Sequence, residues 1–224
     1  MGRKIKAIIL DNSNGFTLVE VLIAMVIGTI IIGAVFMASL AGQQSASGIE
    51  QKIDMQQDVR AALDIMSLEI SMASYNPSFD KSAIQWLDTS CNVAGANTLN
   101  KGIQQANASN LTVEMDLNGN GSLADSNEII SYSYAGNRIT RRTGCEGGAQ
   151  TLIGGTNVQV INNVDTPVFQ YFDGNNNVTA RIPDIRRINI TLVVRAIAPD
   201  MKGQTRTMVY STSVIPRNHV ISIQ

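Results

Sequence analysis

The chain has 224 residues, 44% of them apolar, with 17 Lys+Arg against 18 Asp+Glu and a formal net charge of −1. That length allows one domain plus an extended element. The balanced charge, without a long basic run, argues against a dedicated nucleic-acid binder. One histidine and two cysteines leave the usual zinc, haem and Ser-His-Asp constellations without parts. No enzymatic role is therefore expected.

Arg3, Lys4 and Lys6 form a basic head, followed by a short apolar patch, Asp11-Asn12-Ser13-Asn14-Gly15, and then a 26-residue run from Phe16 to Ala41 in which only Glu20 is charged. About 20 apolar residues suffice to span a bilayer as a helix. The basic head predicts a cytoplasmic N-terminus and an exported C-terminus. A secretory signal carries its small-residue cleavage site after the apolar region, whereas here the small residue precedes it. Glu20 is costly inside such a run, and no cation lies within one helical turn of it.

Gly15-Phe16-Thr17-Leu18-Val19-Glu20 resembles the class III signal sequence of type IV pilins and type II secretion pseudopilins. The resemblance implies cleavage after Gly15 by a membrane prepilin peptidase and N-methylation of Phe16. It also implies that the Glu20 carboxylate meets the Phe16 amine of a neighbouring subunit and sets axial register during filament assembly. Such a pair gives specificity more dependably than net stability. Residues 1–15 are then a leader carrying Arg3, Lys4, Lys6 and Asp11, so its removal leaves 209 residues and shifts the formal charge from −1 to −3. Gly28 and Gly33 weaken the apolar helix by about 1 kcal/mol each; the resemblance implies local melting or close packing in a filament, and the commoner explanation is small residues at a helix contact.

The helix is expected to continue. Ile49, Ile53, Val59, Leu63, Met66 and Ile70 mostly recur at spacings of three or four, with a gap at Gln56, which reads as an amphipathic stripe packed on a core. Pro77 ends the pattern. One helix from Phe16 to about Ala73 is expected, roughly 85 Å long at 1.5 Å per residue. The expected organisation is a leader at 1–15, a transmembrane and filament-core helix at 16–41, an amphipathic helix at 42–76 and a β-rich head at 77–224. The segments Asp58-Val59-Arg60-Ala61-Ala62-Leu63-Asp64 and Leu68-Glu69-Ile70-Ser71-Met72-Ala73-Ser74-Tyr75-Asn76-Pro77 are similar to the helix end of PilW-type minor pilins, relatives of the larger J-type pseudopilins. Those relatives commonly carry Arg where Ser71 stands and Gly where Ser74 stands.

Beyond Pro77 the period changes to two. Leu111, Val113, Met115 and Leu117 alternate, as do Ile188, Ile190, Leu192 and Val194, and Met208, Tyr210, Thr212 and Val214, which reads as strands. Ala135-Gly136-Asn137 is a candidate hairpin turn between Tyr132-Ser133-Tyr134 and Arg138-Ile139-Thr140. An antiparallel sheet packed on the helix follows, an α+β class and the layout of pilin heads. Cys91 and Cys145 lie in the exported part, where a disulfide is favoured. Closing their 53-residue loop would add about 4 kcal/mol in the chain-entropy model.

Asp116, Asn118, Asn120 and Gly121 match the first half of an EF-hand-type calcium loop. Ser122 would add its backbone carbonyl. The second half departs, because position twelve is Asn127 and the glutamate arrives one residue late. Glu128 or Asp125 is the candidate for the closing carboxylate. The alternative is a polar turn with its glycines at positive φ. Asp173-Gly174-Asn175-Asn176-Asn177 reads as a second polar turn. Arg141-Arg142 and Arg186-Arg187 read as solvated strand ends, Trp86 and the methionines as core or subunit contacts, and His219 as a partly exposed side chain.

The resemblance thus implies a structural subunit that primes or caps a type IV pilus. Expected partners are the prepilin peptidase, other minor and major pilins, the inner-membrane assembly platform and the membrane, with no nucleic acid. The expected location is the inner membrane as a single pass, then the filament. A minor pseudopilin of a type II secretion system is the alternative within this machinery. An adhesin or ligand-binding module displayed at the tip, working through the loops from Pro77 to Asn110, is the alternative outside it.

Overall fold

The computed structural model describes residues 15–77, 86, 100–155, 157–197 and 205–219. Its contacts divide into two units, Met1–Ser47 and Gly48–Gln224. Helix α1, Leu18–Ser71, contributes to both.

In the first unit the helix buries nothing. Every large apolar side chain from Phe16 to Leu40 is exposed, and the segment is long and apolar enough to cross a membrane. Hydroxyls along it are bonded to its own backbone. Thr29 Oγ1 donates to Val26 O at 2.8 Å and Ser45 Oγ to Ala41 O at 3.1 Å, which spares an apolar environment from bare hydroxyls. Cβ atoms placed on Gly28 and Gly33 would meet nothing within the chain.

In the second unit the helix has one buried stripe: Met55, Val59, Ala62, Leu63, Met66 and Ile70. This corrects the expected register, since Ile49 and Ile53 are exposed. The apparent gap at Gln56 arises because the row runs through Met55, four residues before Val59, and the helical period is kept.

The rest forms two antiparallel sheets where one was expected. The first is a meander of β1 (Ile103–Ala106), β2 (Asn110–Glu114), β3 (Ile129–Ala135), β4 (Arg138–Thr143) and β5 (Gln150–Ile153) in sequential order. The second joins β6 (Val158–Val160), β7 (Phe169–Phe172), β8 (Arg187–Ala196) and β9 (Thr207–Val214). Within it, β8 pairs with β6 and β7 along one edge and with β9 along the other. A single 3-10 turn, Ile182–Asp184, precedes β8. The alternation in β8 appears as expected, with Ile188, Ile190, Leu192 and Val194 all fully buried. Stretches such as β1, β5 and β6 lack this signal because they are three or four residues long. Strand β2 stops at Glu114, short of the expected Leu117, because Asp116 opens a loop. The β3–β4 hairpin turns on Gly136 and Asn137, at φ 58° and 62°, the paired left-handed conformation of a tight two-residue turn. Side chains of the helix and both sheets share one core. The architecture is α+β and pilin-like, as expected.

The helix end is fastened to β2 by backbone bonds. Ser74 N donates to Glu114 O at 2.9 Å, and Asp116 N donates to Tyr75 O at 2.9 Å. Ser74 terminates the helix at φ 65°, a left-handed position that glycine fills without strain. Gly102 passes so close that a Cβ there would lie 2.2 Å from Ser74 N.

Candidate functional site

The N-terminal site is the stretch from Gly15 to Glu20. Gly15, Phe16 and Thr17 precede the helix and are exposed, so the Gly15–Phe16 peptide bond lies outside the helix and is accessible. A Cβ on Gly15 would meet nothing in the chain. No contact within the described chain calls for glycine at this position.

Glu20 is not left bare. Thr17 N and Thr17 Oγ1 donate to Glu20 Oε2 at 2.8 and 2.9 Å, and Glu20 N donates to Thr17 Oγ1 at 3.3 Å. This reciprocal capping box satisfies orphan donors of the first helical turn. Thr17 was absent from the expected site residues, although the T-x-x-E spacing before an apolar run is the sequence signal for such a box. Both hydrogen bonds to the carboxylate fall on Oε2, which leaves Oε1 for an external partner.

The second site is the loop between β2 and β3. Asp116 accepts from Gly119 N at 2.7 Å and Gly121 N at 3.0 Å, with both glycines at φ 75°. Asn118 Oδ1 accepts from Asn120 N at 2.9 Å, and Asn120 Oδ1 from Ser122 N at 2.7 Å. Asp125 Oδ2 gathers the side-chain amides of Asn118 and Asn120 at 2.6 and 3.1 Å. Glu128 reaches back across the loop, its Oε1 accepting from Leu117 N at 2.9 Å and Asn118 N at 3.3 Å. The loop thus brings together Asp116, Asn118, Asn120, Ser122, Asp125 and Glu128. Among the described residues no three Asp, Glu, His or Cys side chains form a ready-made metal cluster, so any cation held here needs amide and carbonyl oxygens as well.

Cys145 is disulfide-bonded and packs with Trp86 against the buried pair Leu123 and Ile129. Cys91, the other cysteine of the sequence, lies outside the described residues, as does most of the stretch from Pro77 to Asn110.

Three polar groupings correct the expectation of solvated surface. Arg141 clamps Glu69 through Nε at 2.9 and 3.1 Å and through Nη2 at 2.5 Å. Tyr132 OH donates to the same carboxylate. Burial and the Glu69 carboxylate together push the Tyr132 hydroxyl well above the usual phenol range. Arg186 Nη1 donates to Ile185 O, Pro183 O and His219 O at 2.7, 3.0 and 3.3 Å, and Arg187 stacks over Phe172 at 4.0 Å. His219 is 2% exposed rather than partly exposed. The Asp173 turn is as expected, with Asn175 N and Asn177 N donating to Asp173 Oδ1 at 2.8 Å each. These corrections had little local signal, because Glu69 lies 72 residues from Arg141, His219 lies 33 from Arg186, and Ser74, which bonds His219, lies 145 from it.

A family model described as Prokaryotic N-terminal methylation motif matches residues 10–36. A second, described as Prepilin peptidase-dependent protein B, matches residues 49–212. No curated protein and no solved structure matches the chain.

Proposed function

This chain belongs to the prepilin peptidase-dependent protein B family, and on that premise we propose that it is a minor pilin of PilW type, a structural subunit that primes or caps a type IV pilus. The observation that carries the reading is the exposed apolar helix directly behind an accessible Gly15–Phe16 bond. An apolar surface of this extent needs lipid or partner helices. The proposed sequence of events is cleavage after Gly15, methylation of Phe16, and transfer from the inner membrane into a filament.

Glu20 acts at the transfer. Cleavage creates a cationic amine at Phe16, and Oε1 of Glu20 remains open to the amine of a neighbouring subunit while Oε2 caps its own helix. A charge in lipid is costly unless paired or capped, so the box with Thr17 explains how the waiting subunit tolerates Glu20. Other minor and major pilins and the inner-membrane platform are the proposed partners. A minor pseudopilin of a secretion system is the second reading, favoured by the same N-terminal features and separated from the first by which filament incorporates the protein.

The experiment is incorporation of single variants into filaments. Glu20→Val is expected to be cleaved normally and to fail in assembly, and normal incorporation would refute the pairing. Gly15→Leu is expected to accumulate as precursor in the inner membrane, and normal maturation of that variant would refute cleavage at this bond.

A further inference from the structure

The loop between β2 and β3 contains two buried carboxylates for which the described residues supply no cation. Asp116 is 0% exposed and Glu128 1%, and the ion pairs found among the described residues are Arg141–Glu69 and Arg181–Asp184. Burying an ionised carboxylate is costly unless charge and hydrogen bonds compensate. Asp116 is served on both oxygens by the N–H groups of Gly119 and Gly121. Glu128 is served on one. Its Oε1 takes two backbone N–H groups, which holds the carboxylate beneath the first turn of the loop. Its Oε2 is buried with no hydrogen-bond partner. In native proteins an unsatisfied buried oxygen of this kind points to a missing water or ion.

The other side-chain acceptors of the loop are oxygen donors of the hard type. Asp125 bonds the same turn, its Oδ2 holding the amides of Asn118 and Asn120, whose own carbonyl oxygens accept from Asn120 N and Ser122 N. Carboxylate, amide and backbone oxygens select calcium over zinc or copper. Magnesium demands a small and near-ideal octahedron, which a loop with its closing carboxylate displaced by one position is poorly placed to give.

We propose that the loop binds one calcium ion through side-chain oxygens of Asp116, Asn118, Asn120, Asp125 and Glu128 and the backbone carbonyl of Ser122, the three carboxylates drawing in on the ion because they are not gathered into a metal cluster beforehand. The ion supplies the partner that Glu128 Oε2 lacks and replaces the amide protons gathered on Asp125. Glu128 takes the closing role in spite of its displacement, because it already reaches back ten and eleven residues to Asn118 and Leu117. Two neutral amides among the donors set the affinity in the weak extracellular range, about 10⁻⁴ to 10⁻³ M.

Binding bears on more than the loop. Asp116 N is bonded to Tyr75 O at the helix end, and a Cβ on Gly119 would lie 3.1 Å from Pro77 Cγ. Farther along, Leu123 and Ile129 pack with Trp86 and Cys145. Calcium therefore tightens a junction between the end of α1, the β2–β3 connection and the disulfide-bearing turn. This inference is independent of which filament the protein enters.

The test uses the full chain in detergent, stripped with a chelator. Calorimetric titration with calcium chloride should give a single-site heat, and unfolding followed by Trp86 fluorescence should show a higher midpoint with calcium than with equal magnesium. Terbium luminescence sensitised by Trp86, the one tryptophan of the sequence, should appear and be displaced by calcium. Asp125→Asn alters an exposed side chain and should weaken calcium binding by about tenfold, the loss expected for 1.4 kcal/mol. Glu128→Gln should abolish it, and if that variant does not fold, Asp125→Asn decides alone. Absence of both heat and midpoint shift at about 10 mM calcium, tenfold above the weak end of the range, overturns the proposal. So does an equal response to magnesium, or undiminished affinity in Asp125→Asn.

Discussion

Ser74 Oγ and His219 Nδ1 lie 2.9 Å apart across 145 residues of chain. The serine hydroxyl also accepts the Gly102 N–H at 3.1 Å, and His219 Nε2 lies 2.9 Å from Ile182 O. A carbonyl only accepts, so Nε2 carries the proton of the neutral ring and Nδ1 accepts from Ser74. The left-handed turn that ends the helix is thereby pinned to the chain's last described residues.

That pairing makes stability depend on pH. Burial, chiefly, pushes His219 down to about 4 from its ordinary 6.5. A histidine held neutral in the folded state contributes fully above pH 6.5, and the contribution is lost as pH falls from 6.5 towards 4, where the unfolded chain binds a proton that the folded one does not. The loss is on the order of 3 kcal/mol. Denaturant unfolding of the full chain in detergent should show it, and His219→Gln should flatten the dependence in that window. An unchanged slope in the variant would assign the effect to other groups.

Glu69, Arg141 and Tyr132 form a second tie, between the helix and the first sheet. Glu69→Gln should cost about 2 kcal/mol, since it leaves a half-buried guanidinium without its anion. Tyr132→Phe should cost about 1 kcal/mol. The double variant should fall short of the sum because both act on one network. Strict additivity in unfolding experiments would deny the coupling.

The register of the lower helix gives a direct contrast. Ile70 is fully buried whereas Ile53 is 45% exposed. Ile70→Ala should cost about 2 to 4 kcal/mol, against at most about 0.5 kcal/mol for Ile53→Ala. Equal losses in thermal or denaturant unfolding would place the buried stripe on the wrong face.

Cys145 is expected to pair with Cys91. Thiol titration of unreduced, denatured protein should find no reactive group, and reduction should lower the unfolding free energy by about 2 to 5 kcal/mol. Two titratable thiols would exclude the bridge.

The processing motif, the apolar run and the paired strands β8 and β9 were legible because their signals are local: a short motif, a length, an alternation of period two. The capping box was legible too, since Thr17 and Glu20 stand three residues apart. The polar turn after β2 was readable in Asp116 to Gly121 for the same reason, and Glu128 was a candidate there, but its bonds from Leu117 N and Asn118 N were not, because they depend on a return across ten residues of turn.

The amino-acid sequence by itself thus determined the N-terminal methylation motif, a run long and apolar enough to cross a membrane and the β-rich head that follows. Only the tertiary structure decided that Met55 and not Ile53 enters the core, that β2 gives way at Glu114, that Arg141 is clamped by Glu69 and that His219 is buried against Ser74. The physical reason is common to all four. Local propensity is set by neighbours within a few residues. The face of a helix that is buried, and the partner of a buried polar group, are set by which distant strands close over it and by the cost of leaving any such group unpaired.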